Sequence, residues 1–217
     1  MCAANRPGVT REKMIEAALL LLDEVGLDGL TVRRLAAELG VQSPALYWHI
    51  RGKRELLDGM ADAIVASAEM GPPRDGEPWQ DWLGRRARSY RRALLDHRDG
   101  ARIVAGAAWL SPSTIRVFND ELAALVDRGF TPVLALRTIA TISQYVNGFV
   151  LLEQAERPAS TQAPDERLAA LAGLLEAGSS APLLVAMREG GGSTGGDTFE
   201  HGLRTLIEGT AATLRTG

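Results

Sequence analysis

Tyr47 and Trp48 stand side by side, Arg51, Lys53 and Arg54 follow closely, and no acidic residue lies between Glu38 and Glu55. Two aromatic faces beside three cations make a locally positive edge suited to a polyanion. Just before them Gln42, Ser43, Pro44 and Ala45 place short polar and apolar groups near the entry of a helix, and His49 stands beside the aromatics. In a helix-turn-helix the second helix enters the major groove, its first residues meet base edges and flanking groups hold phosphates. The chemistry on offer is recognition of a nucleic-acid duplex. The competing reading is an ordinary helical hairpin whose Tyr47 and Trp48 pack internally and whose cations are merely solvated.

Short elements must hold these residues in place. Thr31 suits an N-cap, and Val32, Leu35, Ala36 and Leu39 recur on one helical face. Gly40 suits the left-handed position that ends such a helix. Ser43 is expected to cap the next helix with Pro44 at its first position, which turns Leu46 and Ile50 inward. Upstream, residues 1–9 read as a loose arm. A first helix starts near Thr10, carries Met14, Ala18, Leu21, Leu22 and Val25 on one face and ends at Gly26. A fourth helix over 53–68, with Leu57, Met60, Ala61 and Ile64 inward, leads to GPPRDGEP at 71–78, the clearest boundary in the chain. The reading is therefore two domains, 1–68 and 69–217.

In the second domain the pattern predicts helices over 79–97, 101–108, 113–128 and 132–156, a loop at 157–166, and interruptions at 178–182 and 190–197. Helix 132–156 is apolar on several sides through Leu136, Ile139, Ile142, Val146, Phe149 and Val150, so it must be covered by its own domain or by another subunit. A last helix lines up Phe199, Leu203, Leu206, Ile207 and Leu214. No alternating run argues for a strand, and the expected fold is all-α.

Composition alone would not suggest nucleic acid. The 217 residues carry a net charge of −3 and a pI near 5.7. Residues 1–60 hold eight Lys+Arg against eight Asp+Glu, and the remainder holds 16 against 19, so the acidic surplus lies outside the proposed reading segment. Cys2 is the single cysteine, which excludes an intrachain disulfide and a cysteine-rich zinc site. With no long apolar run and no signal-peptide core, the expectation is a cytoplasmic protein without a membrane partner.

Residues 11–60 resemble the DNA-binding domain of the TetR family of transcriptional regulators, LYWH at 46–49 most recognisably. WQDW at 79–82, ALLDHRDGA at 93–101 and RGF at 128–130 resemble the ligand-binding domain of that family's tetracycline repressor branch, so the resemblance reaches about residue 155. It implies an N-terminal three-helix reading domain followed by a helical ligand-binding and dimerisation domain. It also implies a homodimer joined through the eighth and last helices, a palindromic double-stranded operator and a small-molecule effector that releases the DNA. By resemblance Arg33 reaches a guanine, Gln42, Ser43, Pro44 and Ala45 face the bases, and Tyr47, Trp48, His49 and Lys53 clamp phosphates. Ser43, Ala45 and Val32 replace a glutamine and two threonines of the tetracycline repressor, so the operator should differ.

The positions that hold a magnesium–drug chelate in that branch read Val104, Ala107, Ala108 and Leu152 here, none of them a ligand for a hard cation. No metal and no cofactor are expected. Drug-contact positions have also changed, to Ala68, Arg86, Tyr90, Glu121 and Gln144. The expectation is a metal-free, largely hydrophobic or aromatic effector. Its pocket would be lined by Tyr90, Val104, Ala107, Trp109, Tyr145 and Phe149 and oriented by Arg86, Glu121, Gln144 or Asn147. The competing reading is a filled core in which Arg86 simply pairs with Glu121. A true magnesium–tetracycline sensor is one alternative function, and a helical small-molecule-binding protein or enzyme without DNA reading is another. The enzyme clues are weak: HRD at 97–99 lacks the other parts of a kinase catalytic loop, and GGGSTGG lacks the lysine of a P-loop.

Overall fold

Thr10 accepts a hydrogen bond from Lys13 N and starts α1, Arg11–Gly29, whose Met14, Ile15, Ala18, Leu21 and Leu22 turn inward. The backbone leaves helical geometry at Gly26 (φ +70°), and a Cβ there would meet the Arg98 guanidinium at 3.1 Å. Glycine is required by both the backbone and the neighbour. The computed structural model describes residues 9–108, 110–156, 164–174, 181–190 and 194–216; residues 1–8 of the proposed arm lie outside the described residues, as does Trp109.

The short helix α2, Val32–Glu38, starts at the expected cap, where Thr31 Oγ1 accepts from Arg34 N at 3.2 Å. Thr31→Ala should cost about 1 kcal/mol of stability, read as a lowered urea midpoint at constant slope; an unchanged midpoint would show that water replaces the cap. A single turn, α3, Ser43–Leu46, follows, and then α4, Lys53–Ser67. Met14, Leu22, Leu30, Leu35, Leu46, Leu56, Met60 and Ile64 are all fully buried here. Each contributes about 1.5 to 3 kcal/mol, enough for four short helices to hold one geometry. On α4 it is Leu56 that is buried, while Leu57 is only half-buried, a one-residue rotation from the expected face.

Helix α5, Trp79–Leu95, is tied to the 71–78 connection by Trp82 Nε1, which donates to Gly71 O at 2.8 Å. Asp99, in the left-handed region at φ +59°, turns the chain into α6, Gly100–Gly106, so HRD at 97–99 is a helix-to-helix turn. Helix α7, Pro112–Val126, is capped by Ser111, and α8 runs Pro132–Glu156 as expected. Among the described residues α9, Pro164–Leu174, α10, Pro182–Gly190, and α11, Gly196–Thr216, complete an all-α chain with no strand. Three expected loop segments are corrected at their edges. Pro164 starts a helix inside the predicted 157–166 loop, Pro182 starts another at the end of 178–182, and the 190–197 break is entered by helix on both sides. Proline at a first helical position needs no N–H partner, which explains two of the three.

α8 packs against α5, α6, α7 and α11 through Ala135, Ile139, Ile142, Val146, Phe149 and Val150. Its other apolar side stays open: Val133, Leu136 and Leu152 are 56 to 59% exposed.

Candidate functional site

At the turn between α2 and α3, Gly40 takes φ +65°, and Val41 N donates to Ala36 O at 2.9 Å, so the chain reverses within a few residues. Gln42 occupies the N-cap, in extended geometry and with no side-chain cap bond; Ser43 is the first helical residue and Pro44 sits at the helix start. The expected cap by Ser43 is therefore corrected by one residue. Helix α3 is only one turn long, which brings Gln42, Pro44, Tyr47 and Trp48 to one surface, while Leu46 and Ile50 are buried beneath it.

Exposure decides between the two readings of the aromatic pair. Trp48 is 89% exposed and Tyr47 53%, so the pair does not fill a core. Arg33 and Lys53 are exposed too, and among the described residues neither side chain makes a hydrogen bond or ion pair, whereas the Arg34 guanidinium is held by Gly29 O at 3.1 Å. Ala45 and His49 are half-buried. Arg51 N donates to Glu55 Oε2 and Arg54 lies 3.6 Å from Asp58, so Glu55 and Asp58 fix the start of α4 behind the surface. What remains outward is two rings, the free guanidinium groups of Arg33 and Arg51, the free ammonium of Lys53 and the start of a one-turn helix. That set fits a phosphate backbone with base edges between.

The second constellation lies between α5, α7 and α8. Arg86, 1% exposed, donates from Nε to Glu121 Oε1 at 2.9 Å and Oε2 at 3.0 Å, and from Nη1 to Ser143 Oγ at 3.2 Å. Glu121 is fully buried, and burial pushes its carboxyl above the ordinary range despite the Arg86 charge and hydrogen bond that pull the other way. The guanidinium also lies over the Phe118 ring at 5.8 Å. Arg86 Nη2 and Asn147 Oδ1 are buried without a hydrogen-bond partner. Tyr90, one turn along α5 from Arg86, is 6% exposed; burial raises its hydroxyl to about 12. The ion pair anticipated for a filled core is thus present, yet it leaves polar atoms over.

The other expected pocket residues divide. Gln144 faces solvent on α8, and Ser143 takes the inward place beside Arg86. Tyr145 stacks on Phe199 at 5.7 Å and donates to Phe199 O at 3.0 Å, while Phe149 meets the same ring edge-on at 5.4 Å. These two therefore belong to an aromatic cluster between α8 and α11. Val104 and Ala107 are half-buried on and just after α6, and the Trp109 expectation lies outside the described residues. Leu152 is 59% exposed, and among the described residues no three His, Cys, Asp or Glu gather as a metal site. Ser143 and Phe118 were not foreseen, although the four-residue spacing of Ser143 and Asn147 was a usable signal.

Two sets of contacts join the constellations. Asp58 and Asp62 of α4 accept from Ala108 N and Ser111 N, each at 2.9 Å, and Thr114 Oγ1 donates to Asp62 at 2.7 Å. The loop after α6 thereby hangs on the helix that enters the reading head. On the other side, Leu27 N donates to Asp99 Oδ2 at 2.9 Å and Arg98 N to Asp23 Oδ1 at 2.7 Å, beside a cleft of about 710 Å³. Burial raises the Asp99 carboxyl, but the hydrogen bond from Leu27 and the Arg102 and Arg98 charges leave it below the usual value.

Residues 14–60 match the family model described as bacterial regulatory proteins, tetR family, and residues 72–214 match the tetracyclin repressor-like C-terminal domain. The chain is 42% identical over 200 residues to tetracycline repressor protein class A from transposon 1721 of Escherichia coli, covering 91% of this chain and 88% of that one. Its structure is similar to that of the Streptomyces coelicolor TetR family protein ActR in complex with (S)-DNPA, with TM-score 0.80, 30% identity and coverage of 96% and 100%. It also resembles a variant of TetR from Acinetobacter baumannii AYE in complex with minocycline, with TM-score 0.75, 34% identity and coverage of 94% and 98%.

Proposed function

The chain belongs to the TetR family of bacterial regulatory proteins, and from that premise we propose that it is a homodimeric repressor that binds a palindromic operator and is released by a metal-free effector. Membership makes it a DNA-binding transcription regulator with a ligand-binding C-terminal domain, not an enzyme. The observation that carries the operator reading is the exposure of Trp48 and Tyr47 beside the unpaired Arg33 and Lys53. In this reading Arg33, Gln42, Ser43, Pro44 and Ala45 meet bases, and Tyr47, Trp48, His49 and Lys53 hold phosphates. Residues 1–68 form the reading domain and 69–217 the effector and dimer domain. No described helix is long and apolar enough to cross a membrane; the proposed work on operator DNA is what places the protein in the cytoplasm. Selection from random duplexes tests the operator: a two-fold symmetric site should emerge, and enrichment without symmetry would defeat the proposal.

Two observations support a dimer. Val133 and Leu136 on α8 are open to solvent, and Leu206, Ile207 and Leu214 on α11 are only half-buried. Two such helices per chain suffice for a four-helix interface, and a two-fold axis would set two α3 turns about 34 to 36 Å apart, one duplex turn. Sedimentation equilibrium at micromolar concentration should give twice the chain mass; a monomer there would remove the symmetric-operator argument.

Effector binding would act as a population shift, releasing DNA by the difference in its affinity for two head spacings. α4 is the connecting lever, since Asp58 and Asp62 grip the loop that carries Ala107 and Ala108. A magnesium–tetracycline sensor is the second reading, favoured by 42% identity to a tetracycline repressor. Val104, Ala107, Ala108 and the exposed Leu152 oppose it. Tetracycline titration with and without magnesium separates the two: magnesium-dependent binding would install the sensor reading, and none leaves the metal-free effector.

A further inference from the structure

We infer that the effector is a neutral molecule carrying a hydroxyl donor and a carbonyl acceptor on a flat apolar frame, bound between α5, α7 and α8; this rests on the effector site proposed above. Three polar atoms there have no protein partner among the described residues. Arg86 Nη2 is a donor in want of an acceptor, and Asn147 Oδ1 is an acceptor in want of a donor. The Tyr90 hydroxyl, which makes no hydrogen bond within the described residues, can serve either way. Ser143, which accepts from Arg86 Nη1, is one helical turn before Asn147 on α8, and Tyr90 is one turn after Arg86 on α5, so helical spacing puts Asn147 on the side of α8 that meets Arg86, where α5 and α8 pack. A buried site left with one of each rejects a ligand that offers only one kind of group.

Charge narrows the class further. The Arg86 guanidinium already holds Glu121 through both carboxylate oxygens, so the pair is neutral as a unit. An anionic ligand reaching Nη2 would approach the Glu121 carboxylate without a free cation to balance it, and Asn147 Oδ1 would oppose it as well. A cation would meet Arg86 itself. Phe118 beneath the guanidinium supplies an apolar aromatic wall, to which a flat frame is matched.

Three probes of one shape test this by calorimetry on the full chain: 2-(hydroxymethyl)anthraquinone, 2-methylanthraquinone and anthraquinone-2-carboxylate. The alcohol should bind about ten- to a hundredfold more tightly than the methyl compound, despite being less apolar, and the carboxylate should be the weakest. Asn147→Leu should remove the preference for the alcohol while leaving the methyl compound bound as well or better. Tyr90→Phe supplies a second variant should Asn147→Leu fail to fold, and should reduce the alcohol's advantage. Equal affinities for alcohol and methyl compound, a preference for the carboxylate, or no binding by any of the three at micromolar concentrations would each overturn the hydroxyl–carbonyl class. The underlying site has its own control, Asn147→Trp, which should abolish binding of every probe. Probes that still bind that variant lie elsewhere, and then the site assignment falls too.

Discussion

Arg86→Met should lower the stability of the chain by about 3 to 5 kcal/mol at neutral pH, because it leaves the Glu121 carboxylate buried with no opposite charge. The double replacement Arg86→Met/Glu121→Leu should recover most of that loss, since two apolar groups of similar volume need no partner. The pH dependence follows from burial. Burial already raises Glu121 above the 4.5 of a free glutamate, with Arg86 pulling it part of the way back, so removing Arg86 raises it further. A carboxyl with a raised folded pKa stabilises the fold below its unfolded value and loses that contribution as pH rises through the folded value. The gap between wild type and Arg86→Met should therefore widen from acid to neutral pH. The difference is the quantity to follow, because carboxylates such as Glu77 behave oppositely. The hydrogen bonds from Arg85 hold Glu77 down at about 2, so its contribution is present above 4.5 and fades as pH falls from there toward 2. Urea unfolding of both proteins across this range checks the sign. A gap that stays constant with pH would mean that water or a shifted side chain has replaced the guanidinium.

How much of this was legible in the sequence differs between the two ends of the chain. The reading head was nearly all local information: caps, a glycine that must be left-handed and a stripe of apolar residues specify α1 to α4 without reference to anything distant. The error of one residue at Ser43 arose because a single-turn helix offers too few positions for the apolar period to fix its register. The exposed rings were legible for the same reason, since Leu46 and Ile50 determine which side of α3 is covered. In the second domain the helices were visible but the site was not. Gln144 and Ser143 are neighbours on α8, and periodicity allows either to face inward; only the Arg86 guanidinium on α5 decides for Ser143. Tyr145 and Phe149 read as pocket residues because their spacing is helical, yet Phe199, fifty residues on, draws them to α11. Long-range pairing of this sort leaves no periodic trace.

Arg33→Ala should weaken operator binding by about 1 to 3 kcal/mol per half-site and relax selectivity at one base position in each. In a symmetric dimer the loss is taken twice, so the complex should fall by at least an order of magnitude in affinity and by several if the contact is bidentate. The structural ground is that Arg33 is exposed and uncommitted, while the adjacent Arg34 is tied to Gly29 O and cannot reach out without releasing the α1–α2 corner. Lys53→Ala provides the contrast. An ammonium at the start of α4 with no partner of its own suits a phosphate, so its removal should weaken all sequences nearly alike and reduce the salt slope by about one per half-site. Measuring both variants against the selected operator and its single-base substitutions, at several salt concentrations, separates the roles. If Arg33→Ala lowers every sequence equally and flattens the salt slope, Arg33 belongs to the phosphate clamp, and the base reading must come from Gln42, Ser43, Pro44 and Ala45 alone. Those four side chains include no long cation, so such a reader would recognise thymine methyls and adenine edges better than guanine, and the selected operator would be correspondingly rich in A·T pairs where α3 enters the groove.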